Sequence, residues 1–307
     1  MFNRCLTAGR GLVLAPPSMR KNYLAVPLFI VLCFADHATA TTVVYAVTPT
    51  GMVIGADGKT VPSGTAIKIF LLRGKYVVAD LYAENAKSND GGVMAYDFPV
   101  WIKQVDQHTD ANVSVSGLAE IIKNQMTTTF AFAIDAIKTG NFTRDQAVVT
   151  GVDVYIVQYV IAGYEKGIPF VHSLTLMPDW GTKTVNGPFD VSLKEKKGLG
   201  WRGQGIALSQ INIADTKEQK ELSAKIPVEF NALRKGNDLT LHQASNVVRA
   251  MLGMESKSNP RYVGFPITVV TIPKIGHGWV RTYERDVPAL SRLPKGTRTK
   301  HQPATQN

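Results

Sequence analysis

The stretch TTVVYAVTPTGMVIGADGK, residues 41–59, decides the fold that this sequence predicts. Two runs rich in β-branched and apolar residues, 43–47 and 52–56, flank a short turn that contains Pro49 and Gly51. Runs of this composition on either side of proline and glycine are typical of two antiparallel strands. The segment therefore predicts a β-hairpin at its very start.

A second strand pair is predicted at residues 66–72 and 76–79, joined across Arg73, Gly74 and Lys75. The connection is short enough for a hairpin loop. Because the two pairs are neighbours in sequence, we expect all four strands to form one antiparallel system.

The rest of the chain alternates between strand-like and helical segments. The predicted segments are a helix at 114–139 with a break near 127–129, strands at 152–162 and 169–177, a looser helix at 208–233, a helix at 239–254 with a capping box at Thr240 and Gln243, and a strand at 265–272 followed by a turn and a short strand. Short connections suit hairpins better than parallel crossovers. The fold class is therefore predicted to be α+β, with helices on both sides of a pair of antiparallel sheets.

The first 40 residues have the three parts of a secretory signal peptide. These are a positive region at 19–23, an apolar run at 24–35 and a small-residue exit at 36–40 that matches A-x-A. A membrane span needs about twenty apolar residues, so the short run favours cleavage over retention as an anchor. Cleavage after Ala40 would make Thr41 the N-terminus of a secreted or periplasmic protein that meets the membrane only during export. Met19 is an alternative start of the chain.

The mature chain is predicted to be one domain, 41–283, followed by a basic, disordered tail at 284–307. Both cysteines, Cys5 and Cys33, lie in the leader, so the exported protein would have no disulfide. The whole chain has a net charge of +10. The tail has no aromatic residues among its basic ones, which favours a solvated tail, and we expect no nucleic-acid partner.

Four segments together resemble the proteasome β-subunit-like family of N-terminal-nucleophile hydrolases. They are 41–59, quoted above, 161–174 (IAGYEKGIPFVHSL), 239–252 (LTLHQASNVVRAML) and 262–272 (YVGFPITVVTI). The resemblance covers nearly all of residues 41–280, and the segments occur in the family's order and spacing. It implies a four-layer αββα sandwich in which two antiparallel sheets are flanked by helices.

The resemblance also implies a catalytic role for three residues. Thr41 would be the nucleophile, and its own α-amino group, with an unperturbed pKa of about 7.7–8.0, would be the base. Asp57 and Lys68 match the family's two other catalytic residues. A lysine ammonium beside the threonine lowers the pKa of its hydroxyl and amine, and an aspartate keeps that lysine charged and oriented. The signal-peptide pattern puts the new N-terminus at the same threonine by an independent argument.

Three parts of the family's pattern are changed in this chain. The glycine-rich turn that binds the oxyanion corresponds to residues 80–84, which contain no glycine, and Ala83 is the residue whose backbone N–H could replace it. The family's Gly-Ser-Gly turn corresponds to residues 203–205, where Gln204 replaces the serine, and its last aspartate and serine fall on Pro260 and Val263.

The predicted function is an exported threonine hydrolase that cleaves peptide or other amide bonds through an ester at Thr41. The alternative is a weakly active or inactive member that uses the fold as a binding or assembly module. The family implies homo-oligomerisation. No cofactor is expected. No metal is expected either, because the histidines after the predicted leader lack metal-ligand spacing; they are His108, His172, His242, His277 and His301.

Overall fold

The computed structural model describes residues 41–59, 68–81, 85–87, 94–150, 155–193, 198–203, 205–211, 213–260, 262–274 and 282–286. The predicted leader at 1–40 and the end of the chain beyond 286 lie outside these ranges. The described residues form an α+β fold with two five-stranded antiparallel sheets, a two-stranded ribbon and several helices. This confirms the predicted fold class.

The strands are β1 (Thr42–Thr48), β2 (Gly51–Asp57), β3 (Ile69–Leu72), β4 (Tyr76–Asp80), β5 (Asn85–Lys87), β6 (Met94–Asp97), β7 (Val157–Glu165), β8 (Ile168–Asp179), β9 (Thr184–Leu193), β10 (Gly198–Gly203), β11 (Ile267–Pro273) and β12 (Thr282–Asp286). The helices are α1 (Phe98–His108), α2 (Val115–Thr129), α3 (Ala131–Lys138), α4 (Arg144–Thr150), α5 (Leu208–Ile211), α6 (Lys217–Lys225), α7 (Pro227–Arg234) and α8 (Leu241–Ser258).

The first sheet has the order β10-β1-β2-β11-β12, and the second has the order β3-β4-β7-β8-β9. Buried apolar side chains fill the space between the two sheets, among them Val43 and Ile54 from the first and Val77 and Val160 from the second. A second cluster joins the first sheet to α8 and the short helices α5 to α7. A third joins the second sheet to α1 and α2. This packing is compatible with the predicted αββα sandwich.

Helix α8 packs directly on the first hairpin because glycines on β2 leave room for it. A Cβ added at Gly55 would lie 2.5 Å from Val248 and 2.8 Å from Leu252. The helix begins at the predicted capping box, in which the Thr240 hydroxyl accepts from the backbone N–H of Gln243 and the Gln243 side chain accepts from the backbone N–H of Thr240. A Cβ at Gly51, at the start of β2, would meet Leu241 at the start of the helix, so the C-terminal half of the helix lies near the end of β2.

The prediction of one four-stranded system at residues 43–79 is wrong. The hairpin β1-β2 lies in the first sheet and the hairpin β3-β4 in the second. Hairpin pairing is local, whereas the sheet that a hairpin joins is set by distant partners. Here β1 pairs with β10, β2 with β11 and β4 with β7.

Other predicted elements are confirmed with changed boundaries. The helix expected at 114–139 is interrupted at Phe130, a buried residue that separates α2 from α3. The looser helix at 208–233 is divided into α5, α6 and α7. Helices α1 and α4 and strands β5, β6, β9 and β10 were not predicted. The sequence of β9 is not typical of a strand, because it contains Gly187 and Pro188 and most of its residues are exposed in the fold.

We predict that Gly55→Ala destabilises the protein by about 1–3 kcal/mol, because the added methyl group overpacks the contact between β2 and α8. Urea denaturation of the full chain measures the change. Gly181→Ala is the matched control, since its Cβ would meet only Asp179 Oδ1, at an ordinary 3.4 Å. Equal effects of the two substitutions would contradict the packing described for α8.

Candidate active site

The candidate site lies at the end of the first sheet where β1 begins and β2 ends. Thr41 directly precedes β1, and Asp57 is the last residue of β2. The two strand ends are joined by a hydrogen bond of 2.8 Å from the backbone N–H of Thr42 to Asp57 Oδ1. Thr41 is 0% exposed and Asp57 is 1% exposed, so both predicted residues are inside the fold of the full chain.

Lys68 reaches this point from the opposite sheet. It directly precedes β3, and its side chain is buried between the two sheets. Its Nζ donates a hydrogen bond of 2.5 Å to Thr41 Oγ1 and another to the carbonyl oxygen of Lys59, and it lies 3.6 Å from Asp57 Oδ2. The structure thus brings together the three residues singled out in the sequence, Thr41, Asp57 and Lys68.

The carboxylate of Asp57 is held by backbone donors as well as by Lys68. Oδ1 accepts from the N–H of Thr42, and Oδ2 accepts from the N–H groups of Lys59 at 3.1 Å and Gly264 at 3.2 Å. Burial raises the pKa of Asp57 above its usual value, and the charge of Lys68 and these three N–H groups oppose the rise. The carboxylate is therefore fixed in orientation, at an energetic cost for its charge.

Gly203 forms the wall of the site beside Thr41. It lies opposite Thr42 in the pairing of β1 with β10, and it has a φ of +84°. A Cβ at this position would lie 1.9 Å from the carbonyl oxygen of Thr41. The turn at 203–205 that the sequence matched to the family's Gly-Ser-Gly turn thus begins against the candidate nucleophile. Gln204 itself lies outside the described residues.

The other predicted positions contribute differently. Ala83, the expected oxyanion donor, lies outside the described residues. The carbonyl oxygen of Pro260 accepts a hydrogen bond from the Lys59 ammonium, and Val263 is a buried apolar residue. Neither has a side chain that can exchange a proton, so neither performs the chemistry of the aspartate and serine that it replaces.

Sequence reasoning missed the contributions of Lys59 and Gly264. Both act at Asp57 through their backbone N–H, and Lys59 also supplies a carbonyl oxygen to Lys68. Every non-proline residue carries these groups. The sequence therefore contains no signal that would distinguish these two residues.

In the described part of the chain, no group of three His, Cys, Asp or Glu residues could hold a metal ion. No described helix is both long and apolar enough to cross a membrane. Comparison with protein-family models gives no match. Comparison with the curated proteins gives no significant match either.

We predict that Gly203→Ala destabilises the protein by about 3 kcal/mol or more, because a strained φ and a backbone clash combine at this position. Gly236→Ala is the control. It has a similar φ of +67° but no atom within 4 Å of its Cβ, so it should cost only about 1–2 kcal/mol. Urea denaturation of both variants separates the clash with Thr41 from the strain. Similar losses would contradict the close contact at Gly203.

We predict that wild type loses stability relative to Asp57→Asn as the pH rises from 3.8 through the raised pKa of Asp57. In this window the native carboxyl binds more protons than the unfolded one, so the free energy of unfolding falls with pH. Urea midpoints of the full chain at pH 4, 5, 6 and 7 measure the difference. If wild type instead gains stability relative to Asp57→Asn as the pH rises, the prediction is wrong. The pKa of Asp57 would then be lowered, because the effect of Lys68 and the backbone donors would exceed that of burial.

Proposed function

We propose that this protein is a threonine hydrolase that cleaves peptide or other amide bonds, with Thr41 as the nucleophile once it is the N-terminal residue. The observation that carries the proposal is the contact of the Lys68 ammonium with Thr41 Oγ1 while the same ammonium lies 3.6 Å from Asp57. A buried lysine whose N–H points at a hydroxyl oxygen favours the anionic form of that oxygen. It is the arrangement needed to activate a weak nucleophile.

The proposed base is the α-amino group of Thr41. In the full chain the nitrogen of Thr41 belongs to its peptide bond with Ala40, and an amide nitrogen is not a useful base. Cleavage of that bond would release an amine with an unperturbed pKa of about 7.7–8.0, part of which is neutral near pH 7. A signal peptidase that removes the predicted signal peptide would make this cut, and export to a secreted or periplasmic location is part of the proposal.

The proposed reaction has two halves. In the first, the amine takes the proton of the Thr41 hydroxyl as Oγ1 attacks the substrate carbonyl, and that proton then passes to the leaving amine as the amide bond breaks. The product of this half is an ester at Oγ1. In the second, the α-amine takes a proton from water as the water attacks the ester carbonyl, and it returns that proton to Oγ1 as the bond between Oγ1 and the acyl carbon breaks, which releases the acid and restores the Thr41 hydroxyl. Lys68 stabilises the negative charge that develops on Oγ1 in both halves.

We also propose that the sandwich is of the N-terminal-nucleophile type and that the protein assembles with copies of itself. The order of the sheets and helices and the position of Thr41 at the start of β1 support the first statement. The second is supported only by the resemblance of the sequence segments. The substrate class stays broad, from small peptides to unfolded chains and non-peptide amides.

We predict that a β-lactone probe acylates Thr41 in the processed protein and that Lys68→Met slows this acylation by about 10²–10³-fold, because the hydrogen bond to Oγ1 is lost. Mass spectrometry of the modified N-terminal peptide measures the rate. Lys123→Ala is the matched control, since this lysine is partly exposed and, within the described residues, forms a surface pair with Glu120 alone.

Two outcomes would count against the hydrolase. Acylation that is unchanged in Lys68→Met would remove the lysine from the mechanism. If folded wild type is not acylated, or if wild type and Thr41→Ala are acylated to the same extent, the alternative of a binding or assembly module is favoured. Circular dichroism of each variant shows that its fold is intact.

We predict that the exported protein begins at Thr41. N-terminal sequencing of protein recovered outside the cytoplasm of a secreting host tests this directly. Any other N-terminus would leave the threonine without a free amine and would contradict the proposed base.

A further inference from the structure

Glu255 is a buried carboxylate whose partners connect it with the wall of the candidate site. It lies on α8 and is 0% exposed. Oε1 accepts from the N–H of Ile206 at 3.0 Å, and Oε2 accepts from the N–H groups of Ala207 at 2.9 Å and Leu208 at 3.2 Å. One side chain therefore binds three consecutive backbone donors at the start of α5.

These donors belong to the turn at 205–208, which follows shortly after Gly203, the residue in contact with the carbonyl of Thr41. The start of this turn is also fixed. A Cβ at Gly205 would lie 2.5 Å from Trp201 Nε1, so the indole ring packs against the backbone there. Gly203 thus contacts Thr41, Gly205 contacts Trp201, and residues 206–208 bind Glu255.

Burying a carboxylate is costly, and within the described residues no cation pairs with Glu255. A helix cap of this kind could be made by a partly buried serine or threonine, as in α2 and α6. A fully buried carboxyl group with three backbone donors defines the position of the turn more strictly than such a cap, because all three bonds weaken together when the turn moves.

We propose that Glu255 is a positioning residue for the hydrolase site. By holding the 205–208 turn it keeps the nearby Gly203 against Thr41 and so fixes the nucleophile at the distance that Lys68 requires. Glu255 touches neither substrate nor the reacting atoms, and it acts through the backbone of the turn. Only the kinetic test of this inference rests on the proposed function, because the structural test does not need an active protein.

The test variant is Glu255→Gln, which keeps the shape of the side chain but turns an amide NH₂ toward at least one backbone N–H donor. The matched control is Glu229→Gln. Glu229 is another buried glutamate on the same side of the first sheet, but its hydrogen bond of 2.9 Å is to the side chain of Asn246. Both changes replace a buried carboxyl group by an amide, but only Glu255→Gln alters hydrogen bonds to the turn.

The structural arm measures hydrogen exchange in the full chain. Glu255→Gln should raise exchange about tenfold or more both in 205–211 and in β1 at 42–48, because it removes a hydrogen bond to a charged group at the anchor of the turn. Glu229→Gln should leave β1 unchanged. Faster exchange in 205–211 alone would overturn the proposal, because Glu255 would then be only a local cap.

The kinetic arm measures β-lactone acylation of Thr41 in the processed protein. Glu255→Gln should lower the maximal acylation rate about tenfold or more with little change in the probe concentration that gives half of it, because a misplaced nucleophile affects the reaction more than binding. An unchanged maximal rate would overturn the proposal. If wild type is not acylated at all, the proposed function fails, and the exchange arm still decides the role of Glu255.

If Glu255→Gln does not fold, Ile206→Pro replaces it in both arms. Ile206 is 59% exposed, so its side chain can be changed, and proline removes only one of the three N–H donors. We expect faster hydrogen exchange in 205–211 and β1 and a lower maximal acylation rate, both by less than in Glu255→Gln. Their absence in a folded Ile206→Pro variant that has lost this hydrogen bond would overturn the proposal.

Discussion

The buried ammonium of Lys68 is the group on which the arrangement of this site depends. Removing such a charge from water costs several kcal/mol, and its three N–H donors each need an acceptor. Thr41 Oγ1 and the carbonyl of Lys59 accept hydrogen bonds from this ammonium, and the carboxylate of Asp57 forms an ion pair with it at 3.6 Å. These three groups lie in the first sheet or in residues directly before or after its strands, whereas Lys68 leads into β3 of the second sheet. The charge is therefore satisfied only when the two sheets hold one relative position.

The fold supplies that position through rigid contacts. Side chains such as Val43 and Val77 close the space between the sheets, and α8 packs on the glycines of β2 behind the site. The surrounding loops add backbone donors at Asp57 and the close contact at Gly203. A site built on strand ends and fixed turns is more exact than one built on mobile loops, which suits the proposed reaction, because that reaction would require the nucleophile, the lysine and the base in defined places.

The sequence predicted this site better than it predicted the topology. The first hairpin was found because its signals are local. Thr41, Asp57 and Lys68 were singled out because the resemblance matches these positions to the family's catalytic residues. The assignment of β1-β2 and β3-β4 to different sheets depends on distant pairing that no local pattern reveals. Backbone groups such as those of Lys59 have no sequence signal, and Glu255 looks like any other glutamate near a helix end until its partners at 206–208 are known.

The central claim is that a free amine on Thr41 completes a site whose other groups are already in place. The most direct measurement compares two proteins that differ by one residue, one beginning at Thr41 and the other at Ala40, in their rate of β-lactone acylation at Thr41. Because the other side chains are the same in both, only the position of the amine changes. We expect the shorter protein to react about 10²–10⁴-fold faster. Equal rates would contradict the claim that the α-amino group is the base.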